Sequence, residues 1–439
     1  MQAAAPAPSG LGTLHGRVTL LAGLAFGSNG ITLGVISYSL LGLKASWGLT
    51  PGQAGLLVMA SGAGQLTGGI LVGYLADWVG RRWGYGVTVG LSSVATAAAA
   101  LAPSLAWLVL ALFIAGIGFG GVAPVATSLV GEFAPPESRG ALMGWTQVIW
   151  IAGWILAALG GVILAHGVEW RLVFLVGLLP LALAVAGPWL VPESPRYLVA
   201  HGRRRDAEAL ARRLADRYGV VPDLPAQEQA GRVSMLAHLG ELWSPRFRRR
   251  SLVIWTVWFV MISAYNGPII WLPALLAAAG FPHPAQASLL VSLVMGLPVI
   301  AATLLIDRVG RKPVIIGGLA MAAAGAAGVA MARSEAGVVG AAIALAGGVL
   351  ASWPVILSYA AELYPTRIRA TATGWASAAG RTGAILAPAM LGLLMRSWTA
   401  GRGLALSIFA GALVIAILIV LFLGEETAGR PLEEVAEQA

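Results

Sequence analysis

Cysteine is absent from the 439-residue chain, and only 11% of the residues are charged. The missing cysteine excludes disulfides, thiolate metal sites and cysteine nucleophiles. Soluble domains usually carry about 25% charged residues, so the low charge excludes a water-soluble enzyme of two or three domains. Apolar residues are abundant instead: 58% of the chain is hydrophobic. We therefore expect the protein to be embedded in a lipid bilayer.

Histidine is also scarce, and its five copies fall in the N-terminal lead or in loops. No nucleophile–base pair, metal-ligand set or phosphate-binding loop is visible. The sequence therefore predicts no metal site, no cofactor and no enzymatic activity. The net charge of +9 does not indicate nucleic-acid binding, because a basic patch needs a soluble surface on which to lie.

Long apolar runs occur twelve times, and each has about the 20 residues that a membrane-spanning helix needs. The sequence therefore predicts an all-α polytopic membrane protein. The predicted regions are a lead at 1–16, a six-helix half at 17–191, a linker at 192–250, a second six-helix half at 251–424 and a tail at 425–439. The predicted spans are 17–42, 53–77, 84–103, 105–131, 140–165, 170–191, 251–278, 284–306, 313–332, 336–361, 370–396 and 402–423.

The linker contains an amphipathic run, 203–218, in which Ala207, Leu210, Ala211 and Leu214 recur at helical spacing. Basic residues are distributed unevenly between the two sides of the predicted bundle. If the N-terminus is cytoplasmic, 22 of the 28 Lys and Arg lie on the cytoplasmic side and five lie outside. Because positive charge concentrates in cytoplasmic loops, we expect an inner-membrane protein whose linker and two termini lie in the cytoplasm.

The second half repeats the first at a constant offset of 230 residues. The repeated pairs are Asp77 and Asp307, Gly80 and Gly310, Arg81 and Arg311, Glu132 and Glu362, Pro135 and Pro365, Arg139 and Arg369, Gly144 and Gly374, and Trp145 and Trp375. Six spans per half is an even number, so the two halves have the same orientation in the membrane. Repeats around a midplane site are typical of alternating-access transporters.

The loop motifs resemble those of the major facilitator superfamily, in particular its sugar porter and its organic-ion and aromatic-acid branches. The motifs are 73–82 after span 2, 307–312 after span 8, 132–139 and 362–369 after spans 4 and 10, and Pro192-Glu-Ser-Pro-Arg196 with its echo at 425–434. The resemblance implies two pseudo-symmetric six-helix halves. It also implies a gating role for the charged residues Asp77, Arg81, Arg82, Glu132, Arg139, Asp307, Arg311, Glu362 and Arg369, which can pair at helix ends.

None of the 19 acidic residues lies in the middle of a span, but one basic residue does. Arg381 lies about 12 residues into predicted span 11, about 18 Å from its cytoplasmic end. A charge there is costly and faces a cavity or a partner, and a guanidinium binds a carboxylate through two hydrogen bonds. We therefore predict a small organic anion, a carboxylate, as the substrate. The alternative is a structural arginine bound to backbone carbonyls or to Gln147.

Further polar and aromatic residues complete the predicted site. By the resemblance, Gln147 lies where sugar porters have a substrate-binding glutamine, and organic-anion transporters have a similar Gly-Arg-x-Gly around Arg381. Helix packing is the alternative role for the amides, and an interfacial belt is the alternative for each tryptophan. The predicted substrate-binding residues are Arg381, Gln147, Asn29, Trp150, Trp154, Trp258, Tyr265, Asn266 and Trp353. As a group, the aromatic members favour an aromatic carboxylate.

Asn29 stands where proton-coupled relatives commonly carry an aspartate. An amide does not titrate, so proton symport by that route is in doubt, and facilitated, exchange-coupled or ion-coupled transport stay open. A neutral sugar or polyol facilitator is the alternative substrate class, supported by Pro-Glu-Ser-Pro-Arg and by Gln147. A non-transporting membrane sensor is the alternative from another class. We expect the protein to be a monomer.

Overall fold

We describe the protein from a computed structural model, which covers residues 14–133, 139–164, 169–218, 240–364, 366–395 and 401–427. Twelve helices in these ranges are long and apolar enough to cross a membrane. The covered ranges contain no β-strand, so the fold is all-α as predicted. Most of the predicted lead and tail lies outside the described residues.

The twelve spans are numbered here in chain order. Spans 1 to 6 are Leu14–Trp47, Pro51–Val79, Arg81–Ala98, Leu105–Phe133, Arg139–Leu164, and a sixth built from Trp170–Leu175 and Leu181–Leu190. Span 7 consists of Arg248–Ala264 and Leu272–Ala278, and span 8 consists of Pro284–Val294 and Gly296–Val309. Spans 9 to 12 are Arg311–Met331, Glu335–Glu362, Thr366–Leu394 and Arg402–Leu423. Short 3₁₀ turns, Ala99–Leu101 and Val176–Leu178, follow span 3 and divide span 6.

Span 7 is interrupted by a π-helical turn, Tyr265–Ile269. Pro268 lies inside this turn, and a proline lacks the N–H that a regular helix would use. Wider turns of this kind occur frequently at functional sites. The interruption places Tyr265 and Asn266, both buried, near the middle of the span.

The predicted amphipathic helix of the linker is present as Arg204–Tyr218, preceded by the short helix Pro195–Ala200. Its apolar face is buried at Ala207, Ala211 and Leu214. Leu214 joins an apolar cluster with the first turns of span 1. The linker therefore packs against one end of the bundle. We call that end the linker side and the opposite end the far side.

The sequence repeat is also a structural repeat. Gly80 and Gly310, which lie between spans 2 and 3 and between spans 8 and 9, have φ values of +95° and +102°, a region that favours glycine. Gly118 allows span 4 to approach span 3, and Gly348 allows span 10 to approach span 9. The members of each pair are 230 residues apart. The two halves therefore use glycine at the same turns and at the same close helix contacts.

Candidate substrate site and gates

Arg381 lies in the middle of span 11, which begins at Thr366, four residues earlier than predicted. At 1.5 Å per residue it is about 22 Å from the linker-side end of the helix. Its Nη2 donates to the carbonyl oxygen of Gly120 at 3.3 Å, and its Nη1 donates to the carbonyl oxygen of Gln65. Both acceptors belong to the first half. In this conformation the guanidinium therefore connects the two halves, and its binding of a substrate carboxylate stays a prediction.

The position of the Arg381 guanidinium depends on a proline and a glycine. In a regular helix the carbonyl of Gly120 would accept the N–H of residue 124, but Pro124 has none. That carbonyl is therefore open to Arg381. At Gly69, an added Cβ would lie only 3.1 Å from the guanidinium carbon, so the absence of a side chain there makes room for it. The sequence contains both signals, but only the fold shows which side chain uses them.

Asn29 of span 1, like Arg381, hydrogen-bonds a backbone carbonyl of span 4. Its Nδ2 donates to the carbonyl of Phe119 at 3.2 Å, and Phe119 directly precedes Gly120 in span 4. Its Oδ1 is buried and has no hydrogen-bond partner among the described residues. The structure therefore brings two predicted site residues to successive carbonyls of span 4. Arg381 contributes charged N–H donors, and Asn29 contributes an acceptor, Oδ1, without a partner among the described residues.

Aromatic side chains from spans 5 and 7 form a wall in the same layer. Trp150 and Trp154 stack with ring centroids 5.9 Å apart, and Tyr265 contacts them edge-on at 5.5 and 5.8 Å. Gly30, the neighbour of Asn29, packs directly against the backbone of both tryptophans. The wall is therefore fixed to span 1 beside Asn29.

A second aromatic pair, Trp258 and Trp353, has ring centroids 5.6 Å apart. Gly380 packs against Trp258, so this pair adjoins the helix that carries Arg381. The indole N–H of Trp258, the hydroxyl of Tyr265 and Oδ1 of Asn266 are buried without a hydrogen-bond partner among the described residues. All three belong to residues that the sequence predicts to bind substrate.

Gln147 is half-buried and lies one helical turn closer to the linker side than Trp150. Residues three apart share a helix face, so Gln147 extends the surface of the aromatic wall. The nine residues predicted to bind substrate thus come from spans 1, 5, 7, 10 and 11. Their role in binding stays a prediction.

On the far side of the aromatic wall, hydrogen bonds connect the two halves. Ser37 of span 1 donates to the carbonyl of Ile270 at 2.6 Å, and the indole N–H of Trp154 donates to the hydroxyl of Ser292 at 3.0 Å. A small pocket remains between them, lined in part by Tyr38 and Met295. Nothing in the sequence distinguishes these serines, because serine is common in membrane helices. These contacts join the two halves on the far side.

On the linker side, two of the predicted gating residues, Arg311 and Glu362, form an ion pair, and their gating role stays a prediction. The guanidinium Nη2 and Nε donate to the carboxylate at 3.1 and 3.2 Å, and the side chains are only 17% and 18% exposed. This ion pair joins the start of span 9 to the end of span 10. The side chains of the other predicted gating residues Asp77, Glu132, Arg139, Asp307 and Arg369 lie outside the described part of the structure.

Two glutamates cap helices on the linker side, a role that sequence analysis missed. The Glu193 carboxylate accepts the backbone N–H groups of Arg81 and Arg82 at 2.9 and 3.4 Å, at the start of span 3. Glu426 accepts the first two N–H groups of span 9, both at 3.0 Å. An anion is stabilising at a helix N-terminus. The Pro-Glu-Ser-Pro-Arg motif and its echo therefore tie spans 6 and 12 to spans 3 and 9.

A further buried ion pair ties the start of span 7 to the ends of spans 10 and 12. Arg250 is 3% exposed and donates to the Glu425 carboxylate at 2.6 Å and to the Leu363 carbonyl at 2.9 Å. Beside it, burial raises the pKa of Tyr364 to about 12, so its hydroxyl stays neutral and pairs with Ser251 at 3.1 Å. An ion pair and hydrogen bonds therefore hold the helices together at this end of the second half.

Comparison with known proteins places these observations in a family. Residues 17–439 match the family described as sugar (and other) transporter. The chain is 33% identical over 428 residues to the niacin transporter NiaP of Acinetobacter baylyi, covering 97% of both chains. It is 28% identical over 415 residues to the putative niacin/nicotinamide transporter NiaP of Bacillus subtilis, covering 94% of this chain and 96% of that one.

Among solved structures, the fold is similar to that of the xylose transporter XylE from E. coli in a partially occluded inward-open conformation. The TM-score is 0.75 at 21% sequence identity, and the match covers 95% of this chain and 99% of that one. At this identity the likeness concerns the fold alone.

Proposed function

Because the chain belongs to the sugar (and other) transporter family of the major facilitator superfamily, we propose that it carries a small aromatic carboxylate of the niacin type. The protein is a multi-pass membrane transporter of a small molecule. The proposal adds the substrate class, alternating access as the mechanism, and a cytoplasmic location for the linker and both termini in the inner membrane. The distribution of basic residues supports the orientation, and the names of two relatives support the substrate.

The position of Arg381 is the observation that carries the proposal. Its guanidinium lies at mid-depth, where a charge costs on the order of 2.5–3.5 kcal/mol. Its partners there are two neutral carbonyls, and they use only two of its five N–H groups. Hydrogen bonds between two charged groups are roughly twice as strong as neutral ones. A carboxylate substrate would therefore supply the counter-charge that the spans lack.

The surrounding side chains suit a flat ring with a polar edge. Aromatic rings pack favourably at centroid separations of about 4.5–7 Å, and Trp150 and Trp154 offer such surfaces beside Tyr265. The nitrogen of a pyridine ring accepts a hydrogen bond. The buried Tyr265 hydroxyl and Trp258 N–H are donors without a partner among the described residues. Niacin, a pyridine carboxylate, supplies an acceptor at both ends.

Alternating access requires a gate on each side of this site. We assign the far-side gate to the contacts of Ser37 with Ile270 and of Trp154 with Ser292. We assign the linker-side gate to the charged loop motifs. The described pair of Arg311 and Glu362 joins two helices of the second half, so it would move with that half as the halves rock and the far-side contacts break.

Uptake of labelled nicotinate into proteoliposomes tests the proposal, with nicotinamide, benzoate and xylose as competitors. Nicotinamide has the same shape without the charge, and benzoate has the charge without the ring nitrogen. We expect unlabelled nicotinate to compete best, benzoate next, and nicotinamide and xylose weakly. Equal competition by nicotinamide would show that binding does not require the carboxylate.

A neutral sugar or polyol facilitator is the competing function. It is favoured by the family description, which includes sugars. The half-buried Gln147 gives it a residue that could bind a hydroxyl group. Transport of labelled xylose without transport of nicotinate would establish this alternative and reject the carboxylate.

An aspartate in place of Asn29 is expected to inhibit anion uptake. The new carboxylate would lie near Arg381, because the two residues contact successive carbonyls of span 4, and it would compete with the substrate. At neutral pH we expect nicotinate uptake by Asn29→Asp to fall about tenfold or more, the effect of about 1.4 kcal/mol. A neighbouring guanidinium favours the ionised form of a carboxyl, so the new carboxylate stays ionised and the loss of uptake persists as the pH falls.

Asn29→Ala is the matched control, because it removes the amide without adding a charge. The initial rate of uptake is measured for both variants from pH 5.5 to 8. An equal loss of uptake in Asn29→Ala, or a normal rate in Asn29→Asp, would contradict the proximity of this position to the anion site.

A further inference from the structure

Three glycines of span 2, Gly55, Gly62 and Gly69, recur every seven residues and face span 11 of the other half. Gly55 packs against the backbone of Pro388, and Gly62 packs against that of Ala384. A seven-residue repeat keeps one helix face on the same partner. Spans 2 and 11 are therefore in close contact across the two halves from the far side to mid-depth.

Arg381 ends this glycine-lined contact on its linker-side edge. Where Gly55 and Gly62 face backbone, Gly69 faces the guanidinium. The guanidinium then reaches past span 2 to span 4, where the carbonyl of Gly120 lacks a helical N–H because of Pro124. An unpaired carbonyl in a bilayer is costly, so this carbonyl favours the guanidinium as its hydrogen-bond partner.

We propose that Pro124 and Gly69 are positioning residues that create a releasable tie between the halves. The tie consists of the hydrogen bonds from Arg381 to the carbonyls of Gln65 and Gly120. A carboxylate that binds Arg381 draws the guanidinium away from these carbonyls, and the linker-side ends of spans 2 and 11 then separate. The identity of the anion rests on the proposed function, whereas the tie itself does not.

Two substitutions weaken the tie without removing Arg381. Pro124→Ala gives the Gly120 carbonyl an N–H of its own helix, which competes with the guanidinium for that carbonyl. Gly69→Ala places a methyl group 3.1 Å from the guanidinium carbon, so the guanidinium must shift away from its two carbonyl partners. Pro354→Ala is the matched control, because Pro354 occupies the equivalent position of span 10, 230 residues later.

The absence of native cysteine allows the separation to be measured directly. Spin labels are attached at Leu75→Cys in span 2 and Gly374→Cys in span 11, two exposed positions near the linker-side ends of their helices. Distances are recorded by pulsed electron paramagnetic resonance in nanodiscs, with and without nicotinate. Nicotinate binding to the same samples is measured by calorimetry.

In the otherwise unchanged chain we expect nicotinate to lengthen the distance between the labels. Without nicotinate, Pro124→Ala and Gly69→Ala should already show the longer distance, and Pro354→Ala should show the shorter one. Affinity for nicotinate should stay within about threefold of the parent in both tie variants, because Arg381 remains and has lost a competitor. A merely structural role would lower affinity and thermal stability together.

The tie is overturned if both tie variants keep the short distance without nicotinate, or if Pro354→Ala lengthens it equally. The outcomes for the tie and for the proposed function are separate. If the parent chain does not bind nicotinate, the substrate assignment fails, and the distances without ligand still decide the tie. If nicotinate binds normally but the distances are unaffected by the tie variants, the substrate assignment stands and the tie fails.

Discussion

Replacement of Arg381 by alanine is expected to lower nicotinate uptake by at least about 30-fold. Truncating one partner of a buried, hydrogen-bonded charge pair costs about 2 kcal/mol or more, which corresponds to that factor. Since the spans supply no second cation at mid-depth, nothing else can replace the guanidinium. The initial rate of labelled nicotinate uptake into proteoliposomes, normalised to folded protein, measures the effect.

Two further variants sharpen this prediction. Arg381→Lys keeps the charge but loses the planar fork, so we expect an intermediate rate. Arg333→Ala removes an exposed arginine from the far side and should transport at the normal rate. Full uptake by Arg381→Ala, with an unchanged thermal melting curve, would show that the substrate does not bind this residue.

Replacement of Gly30 by alanine is expected to destabilise the first half and to abolish transport. The added methyl group would overlap the Trp150 carbonyl and lie 2.8 Å from the Trp154 nitrogen. Both are backbone atoms and cannot move aside by changing a rotamer. Overpacking of this kind typically costs about 1–3 kcal/mol, and here it also displaces the aromatic wall from Asn29.

Gly52→Ala is the control for this substitution. Gly52 also lies in a membrane helix, but an added Cβ there meets no atom within 4 Å. An alanine gains helix propensity over glycine, about 1 kcal/mol in a helix interior such as that around Gly30, so a lower melting temperature for Gly30→Ala than for Gly52→Ala reports the clash. Melting temperature in detergent and nicotinate binding are measured for both. If Gly30→Ala melts like Gly52→Ala and binds nicotinate normally, spans 1 and 5 do not pack as described.

Local and periodic features of the sequence predicted most of the fold. Hydropathy located the twelve spans, since an apolar run of sufficient length has few other uses, and the 230-residue offset predicted the parallel halves. The interruption of span 7 at Tyr265–Ile269 was not predicted, although Pro268 is a visible signal. A proline inside an apolar run is compatible with a kink, a π turn or a break, and packing decides among them.

The candidate site was predicted less completely than the fold. The sequence identified Arg381 as exceptional, and it offered carbonyls as one of two classes of partner. It could not name Gln65 and Gly120, because a backbone carbonyl has no residue identity and lies more than 250 residues away in the chain. The capping glutamates Glu193 and Glu426 were visible as motifs. Their hydrogen-bond donors are backbone N–H groups, which have no residue identity in the sequence, so their role appeared only in the structure.

The internal repeat has a consequence for how a substrate is oriented. Spans 5 and 11 are copies of one ancestral helix, and the position that carries Arg381 in span 11 carries Ile151 in span 5. Conversely, Trp150 and Trp154 correspond to Gly380 and Ala384. Duplication therefore produced two equivalent surfaces, and divergence made one cationic and the other aromatic. A molecule with an acidic end and a flat end would have only one favourable orientation between them, so it would cross the membrane without turning over.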